Sequence, residues 1–390
     1  MTVRKIKVDL DYIKPGASFI YPLYSSENEK ICGERVVLTA EIIAGIRERY
    51  GNIVFYTDIG KRASIPGYRM KIAYNVSKDL LDEIAFSDKI SKTSYKSAEK
   101  LVEDIISDIT STETEAIDLL KDLKSYDNYL YNHSVNVGIL VAVFANLLKA
   151  FNDDELKYLA LGAFLHDIGS QRIDKQLLHK EGKLDITEMQ KVKRHPQLGY
   201  EMLKTIKSTN PVTLQSVLFH HEKCNNHGYY ELPYENLPKY PKMLSICDMY
   251  DALTSCRPFR KRPMAADQAI KTLLNCMNVH FEHDLITEFI NLMGPILCTT
   301  NNLFSLNEIC ELNTQELALV RGVDGNRMLQ PKVLVFCKFL RQRNNLSVQF
   351  YKDVLDVDLG KDSNRKLIKV INNQAQIDSI QERLKEKHLI

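Results

Sequence analysis

Five histidines and two aspartates between positions 133 and 248 constrain this 390-residue chain more than any other feature of it. They are His133 in YLYNHSVNVG, His166-Asp167 in LALGAFLHDIGS, His195 in VKRHPQLG, His220-His221 in VLFHHEKC and Asp248 in SICDMYDALTS. Several lie beside apolar runs, where a polar ring is costly to bury unless it is paired or ligated. Taken singly, each would read as a satisfied polar residue or a helix cap, and His179, His227, His280, His283 and His388 are read that way. Taken together, imidazoles and carboxylates at the ends of successive helices can converge inside a bundle. Such a set can hold two first-row metal ions side by side with a carboxylate between them, and can activate water against a phosphodiester.

The remaining sequence divides around this stretch. Residues 1–85 carry turn signals (Lys14-Pro15-Gly16, Ile65-Pro66-Gly67) and short β-prone runs, SFIYPLY and NIVFYT. Between them VVLTAEIIAGIRERYG has a Thr39 N-cap, helical spacing and a stop at Gly51, so a small α+β domain is expected. Residues 86–295 read as helical. A charged lead-in with Leu101, Ile105, Ile106 and Ile109 at helical spacing precedes the histidine-bearing segments. NDDELKYLALGAFLHDIG offers a cap at Asn152 or Asp153, acidic residues in its first turn and a terminating Gly169. Thr187 and Gln190 fit a capping box, and Pro196 leaves His195 at a helix junction. Residues 296–390 return to β-prone stretches (ELALVRGV, KVLVFCKFL, LSVQFY), with turns at Asp324-Gly325 and Gly360, and read as a small β-containing C-terminal appendage. The expected fold class is mainly α: a helical bundle flanked by two small units.

With 52 basic and 50 acidic residues the net charge is +2, which argues against a long nucleic acid or a polybasic membrane surface as partner. The eight cysteines are scattered with no CxxC, as expected of reduced thiols in a cytosol. The N-terminus has no apolar core of a signal peptide. The longest apolar run, Val137 to Leu148, is too short for a bilayer and reads as a buried core helix. A cytoplasmic protein is expected, and a homodimer is compatible with the sequence.

In order along residues 125–275, YNHSVNVG, LHDIG, LLHKEGKLDITEMQKVKRHPQLG, HHEKCNNHGYY and DMYDALTSCRPFRK resemble the HD superfamily of metal-dependent phosphohydrolases. The resemblance is closest to its HD-GYP branch, the cyclic di-GMP phosphodiesterases, and LDYIKPGASFIYPLY looks like the small domain often found ahead of that branch. The resemblance implies an HD-type helical bundle whose metal ligands are His133, His166, Asp167, His195, His220, His221 and Asp248. Asp167 would bridge two metals, iron or manganese, with His166 beside it, and a hydroxide between the metals would linearise cyclic di-GMP to pGpG. Arg257 and Arg260, in RPFRK, match the family's phosphate-binding motif, while Tyr229 and Asp251 match positions used around the nucleotide.

Three departures from the family pattern stand out. The lysine of HDxxK is Ser170. The DGxGYP loop reads Asn225-Asn226-His227-Gly228-Tyr229-Tyr230, so its proline is lost, φ at position 230 is freed and a looser loop is expected. The position of a glutamate that ligates a third metal is Tyr129, and a phenol is a poor ligand at neutral pH, so two metals are expected. Two alternatives stay open: a catalytically weak or inactive cyclic di-GMP receptor, and another HD-type nucleotide phosphohydrolase.

Overall fold

The computed structural model describes residues 4–387, apart from 14, 19–21, 28, 34–35, 59–67, 112–119, 121–128, 179, 181, 256–262, 299–302, 324–327 and 343–344. At the N-terminus β1 (Arg4–Asp9), β2 (Ala17–Ser18), β3 (Leu23–Tyr24), β4 (Lys30–Cys32), β5 (Val37–Leu38), α1 (Ala40–Tyr50) and β6 (Ile53–Asp58) follow one another. A four-stranded sheet has the order β1-β6-β3-β4, and β2 pairs separately with β5. Thr39 caps α1 by accepting from the Ile42 N–H, and Gly51 ends it at φ 78°. Val8, Leu10, Leu23, Leu38, Ile43, Ile46 and Val54 close a core of their own.

That core does not extend to residue 85. Helix α2 (Tyr68–Ser87) contributes Ala73, Leu80 and Ile84 to the large helical core, where it packs against α3 (Lys92–Ser111). The expected boundary therefore falls inside α2, because the apolar face of this helix is buried among helices. On α3, Leu101, Ile105 and Ile109 are buried as their spacing predicts.

Helix α4 (Tyr129–Leu148) is buried on every side from Val137 to Ala145, the mark of a central helix. Against it lies α5 (Asp153–Leu165), opened by a capping box in which Asn152 accepts from the Glu155 N–H and Glu155 accepts from that of Asn152. The helix does not end on a left-handed glycine. It runs into a 3-10 turn, Ile168–Arg172, in which Gly169 has no positive φ. Glycine is needed there for space: a Cβ at position 169 would lie 2.1 Å from the His195 carbonyl oxygen and 2.4 Å from the Gly199 nitrogen. Next come α6 (Lys175–Leu178), α7 (Ile186–Val192), α8 (His195–Lys204), α9 (Pro211–Phe219), α10 (Lys239–Thr254), α11 (Ala266–Asn275) and α12 (His283–Leu297). The capping box of α7 is Asp185 with Glu188 rather than Thr187 with Gln190, since the helix starts earlier. Among the described residues no helix is long and apolar enough to cross a membrane.

The C-terminal strands β7 (Ile309–Leu312), β8 (Glu316–Gly322), β9 (Lys332–Gln342), β10 (Asn345–Asp358) and β11 (Leu367–Val370) form one antiparallel sheet, ordered β10-β9-β8-β7-β11, and α13 (Gln374–Glu386) follows. Strand alternation sorts the side chains onto two faces. Cys310, Leu312, Ala318, Val320, Val333, Val335, Leu367 and Val370 join the helical core. Ile309, Leu317, Leu319, Leu334 and Phe336 form a second layer with Leu384 of α13. Asn275 of α11 donates to the Val370 carbonyl (3.0 Å) and accepts from its N–H (2.8 Å), as a further strand would. This segment is thus fused to the bundle through a common core, where the sequence suggested an appendage.

Inside the sheet, Glu316 is 4% exposed and accepts from Arg365 Nε (2.7 Å), from the Tyr351 hydroxyl (2.8 Å) and from Thr314. Burial alone would raise its carboxyl, but these partners hold it below the ordinary glutamate value. A depressed folded-state pKa stabilises above the unfolded value, and that contribution is lost as pH falls through the folded one. Glu316→Gln is expected to cost about 1.5–3 kcal/mol at pH 7. The deficit should shrink as pH is lowered through and below the carboxylate range, as measured by urea denaturation at a series of pH values.

Candidate metal centre

The seven residues picked from the sequence converge. His133 lies in the first turns of α4, His166 at the end of α5, Asp167 at the head of the 3-10 turn and His195 at the first position of α8. His220 and His221 end α9, and Asp248 lies within α10. His133, His166 and Asp167 form one group whose ligand atoms lie within 4.8 Å of one another, and His195, His220 and His221 form another. Asp167 stands between them. Its Oδ1 is 3.2 Å from His195 Nε2, while its Oδ2 is 3.6 Å from His166 Nε2 and 3.9 Å from His133 Nε2. Asp248 Oδ1 completes the first group, 3.1 Å from His133 Nε2 and 4.0 Å from His166 Nε2.

Local folding sets the direction in which each imidazole presents its nitrogen. The Nδ1 of His166, His195 and His220 each meets the carbonyl three residues earlier, of Ala163 (2.7 Å), Val192 (2.9 Å) and Val217 (2.8 Å). The last carbonyls of a helix lack intrahelical donors, so a histidine at or just past the end can satisfy one of them. His133 Nδ1 meets Asp251 Oδ2 at 2.6 Å. In each ring Nδ1 faces an acceptor and so carries hydrogen, which turns Nε2 inward as the atom that would ligate. His195 Nε2 and His220 Nε2 stand 3.3 Å apart, and His166 Nε2 is buried with no hydrogen-bond partner among the described residues. Converging Nε2 atoms with carboxylate oxygens among them fit a divalent cation of the imidazole- and carboxylate-binding kind.

The charges agree with that donor set. Burial, then the neighbouring His221, His166 and His195, push His220 well below the ordinary histidine value, and burial with His195 takes His221 down to about 4. Both are neutral at pH 7, the form that ligates. Burial raises Asp167 and Asp248, yet the surrounding imidazoles overcome this and hold both ionised. Burial also pushes His133 down, but its bonds to Asp248 and Asp251 carry it up to about 10. A proton on His133 and a cation beside it are thus alternative sources of the same positive charge.

Two expectations change. Asp251 does not face an open cleft: it is 3% exposed, and besides His133 it accepts from Asn136 Nδ2 (2.9 Å) and the Ser255 hydroxyl (3.0 Å). It orients His133 from behind, so a direct nucleotide contact gives way to a supporting role. The loop at 225–230 is not loosened either, because the Tyr230 N–H, which proline would lack, donates to Glu222 Oε1 at 2.8 Å. Tyr229 lies over the centre, its ring 4.3 Å from that of His221 and 6.1 Å from that of His195. Arg257 and Arg260 lie outside the described residues, as do His179, His388 and the side chain of Tyr129. His227, His280 and His283 stay outside both groups. Asn136 was missed; its spacing of three from His133, like that of Asp251 from Asp248, puts each pair on one helix face.

Two outcomes follow from this wiring. Asp251→Asn should weaken metal retention about 10–100-fold while leaving the fold intact, as measured by metal titration with a competing chelator. Because His133 holds its proton up to about pH 10, metal uptake at pH 7 should release a proton and affinity should rise with pH. Calorimetry in buffers of different ionisation enthalpy measures that release, and His133→Ala should diminish it. A part should remain, because the burial of His195 is outweighed by Asp167, which raises that ring too above the ordinary histidine value.

Residues 100–285 match the family model described as "HD domain". A cyclic di-GMP phosphodiesterase of Pseudomonas aeruginosa is 31% identical over 240 residues, covering 61% of this chain and 55% of the relative. A cyclic di-GMP phosphodiesterase response regulator of Xanthomonas campestris is 35% identical over 112 residues, 28% of this chain and 30% of the relative. The chain thus spans about half or less of these curated relatives. A solved HD-GYP-type protein from Bdellovibrio bacteriovorus superposes with a TM-score of 0.52 at 15% identity, covering 75% of this chain and all of that one, and so shares the fold. Residues 100–285 thus match an HD domain, and with the ordered motifs and this geometry they resemble the HD-GYP branch of that family.

Proposed function

We propose that the protein is a cytoplasmic cyclic di-GMP phosphodiesterase with a binuclear centre, which linearises its substrate to pGpG. The observation that carries this reading is Asp167, whose two oxygens face two separate sets of inward-directed imidazoles. The cyclic di-GMP phosphodiesterases among the relatives suggest the substrate class. Two divalent cations, iron or manganese, would supply the positive charge that activates water and offsets the developing charge on phosphorus. The protein residues do the positioning. His133, His166, Asp167 and Asp248 form one half of the ligand set, and His195, His220 and His221 with the other Asp167 oxygen form the second. Asp251 fixes the His133 ring.

Tyr229 forms part of the substrate face. Burial, then the nearby Asp167 and Asp248 carboxylates, push its phenol well above the ordinary tyrosine value, so it stays protonated and can donate to a phosphate oxygen. Arg257 and Arg260 are assigned to the phosphates through the RPFRK motif. A net charge of +2 suits a small dianion better than a long polyanion.

The test is incubation of manganese- or iron-loaded protein with cyclic di-GMP, and in parallel with the hybrid cyclic GMP–AMP dinucleotide, with products resolved by chromatography. Conversion of cyclic di-GMP to pGpG is expected; absence of turnover by fully metallated protein would overturn the assignment. Asp167→Ala should lose both metal and hydrolysis. Arg257→Ala should keep its metal and bind the nucleotide about ten- to a hundred-fold more weakly, corresponding to about 1.5–3 kcal/mol.

A further inference from the structure

The stretch from Asn225 to Pro233 folds around one buried carboxylate. Glu222 is 3% exposed, and its Oε1 and Oε2 accept from the backbone N–H groups of Tyr230 (2.8 Å) and Leu232 (3.0 Å). Such a group is costly to bury unless donors take up its oxygens, and here the main chain supplies one to each. Gly228 closes on the same residue: a Cβ there would lie 2.6 Å from Glu222 Cα and from its Oε2. Between those two donors Glu231 adopts φ 53°, a left-handed conformation that a side chain of its kind rarely takes. Strain of that sort persists where flanking contacts fix the backbone, as the N–H bonds on either side do here. Asn226 Oδ1 accepts from the Tyr234 N–H at 2.9 Å and closes the loop on itself.

Within this frame sits Tyr229, tilted 35° to His221 with Lys193 Nζ 5.1 Å from its ring centroid. We propose that Glu222 is a positioning residue of the substrate face, and that the Tyr230 N–H is a working part of it. The carboxylate holds residues 228–232 in the one conformation that lays Tyr229 on the metal-facing histidines. Proline at position 230 would fix φ but could not donate. This chain therefore substitutes a hydrogen bond for a ring constraint, and Tyr230→Pro, which restores the family residue, would damage the site. The inference rests on the proposed cyclic dinucleotide reading only for its substrate.

The test compares Tyr230→Pro, Tyr230→Phe and Glu222→Gln as full-length, metal-loaded proteins. Hydrogen exchange at the Leu232 amide reports the loop without reference to activity, and metal content is measured in every sample. Tyr230→Pro and Glu222→Gln are expected to exchange faster at Leu232 and to keep wild-type metal. Both should lose about ten- to a hundred-fold in kcat/KM for cyclic di-GMP, more through KM than kcat. Tyr230→Phe retains the N–H and should match the wild type in exchange and in kinetics. The proposal falls if Tyr230→Pro equals or exceeds the wild type in both readouts, or if Tyr230→Phe is impaired as deeply. It also falls if the losses track lost metal. Should wild-type protein turn over no cyclic dinucleotide, the functional reading fails, and Leu232 exchange in the three variants still decides whether Glu222 holds the loop.

Discussion

The backbone contact between the 3-10 turn and the start of α8 is the constraint on which the rest depends. Nothing larger than hydrogen fits on Gly169 against the His195 carbonyl and the Gly199 nitrogen. That approach places Asp167, two residues earlier, within 3.2 Å of His195 while its other oxygen stays with His166 and His133. Without it the two imidazole groups would be separate polar defects in an apolar bundle. With it they become one donor set around a shared carboxylate, and the burial cost is recovered on coordination.

A second layer gives that set its precision. Three of the five histidines use helix-end carbonyls, and His133 uses Asp251, itself held by Asn136 and Ser255. Orientation therefore comes from secondary structure as much as from side chains. A histidine at the end of α5 or α9 is aimed by the carbonyl three residues back, a bond that survives any change of side chain at that position.

Much of the centre was legible in the sequence because the chemistry is local: HD, HH and the lone His133, His195 and Asp248 each mark a helix or a helix end. The helical class followed from spacing, as did the burial of Val137–Ala145. What escaped was relational. Asp251 reads as a nucleotide contact until His133 is seen 2.6 Å away across 118 residues. Gly169 reads as a helix stop, since sequence does not reveal which backbone lies opposite. The lost proline at position 230 reads as loosening, because the receiving carboxylate, Glu222, is eight residues away. The shared core is relational in the same way: α2 and the C-terminal strands bury their faces on helices distant in sequence.

The shared core beneath the C-terminal sheet also says how the molecule comes apart. Strands β7, β8 and β11 share one apolar core with the helices on their inner face, β11 against α11, so exposing one partner exposes the other. Bundle and sheet should therefore melt as a single cooperative unit, carrying the metal-holding residues with them. The N-terminal sheet, closed around its own core, is free to unfold on its own. A partial unfolding event that frees the first 58 residues would leave the metal centre standing, whereas one that begins in the last 80 would not.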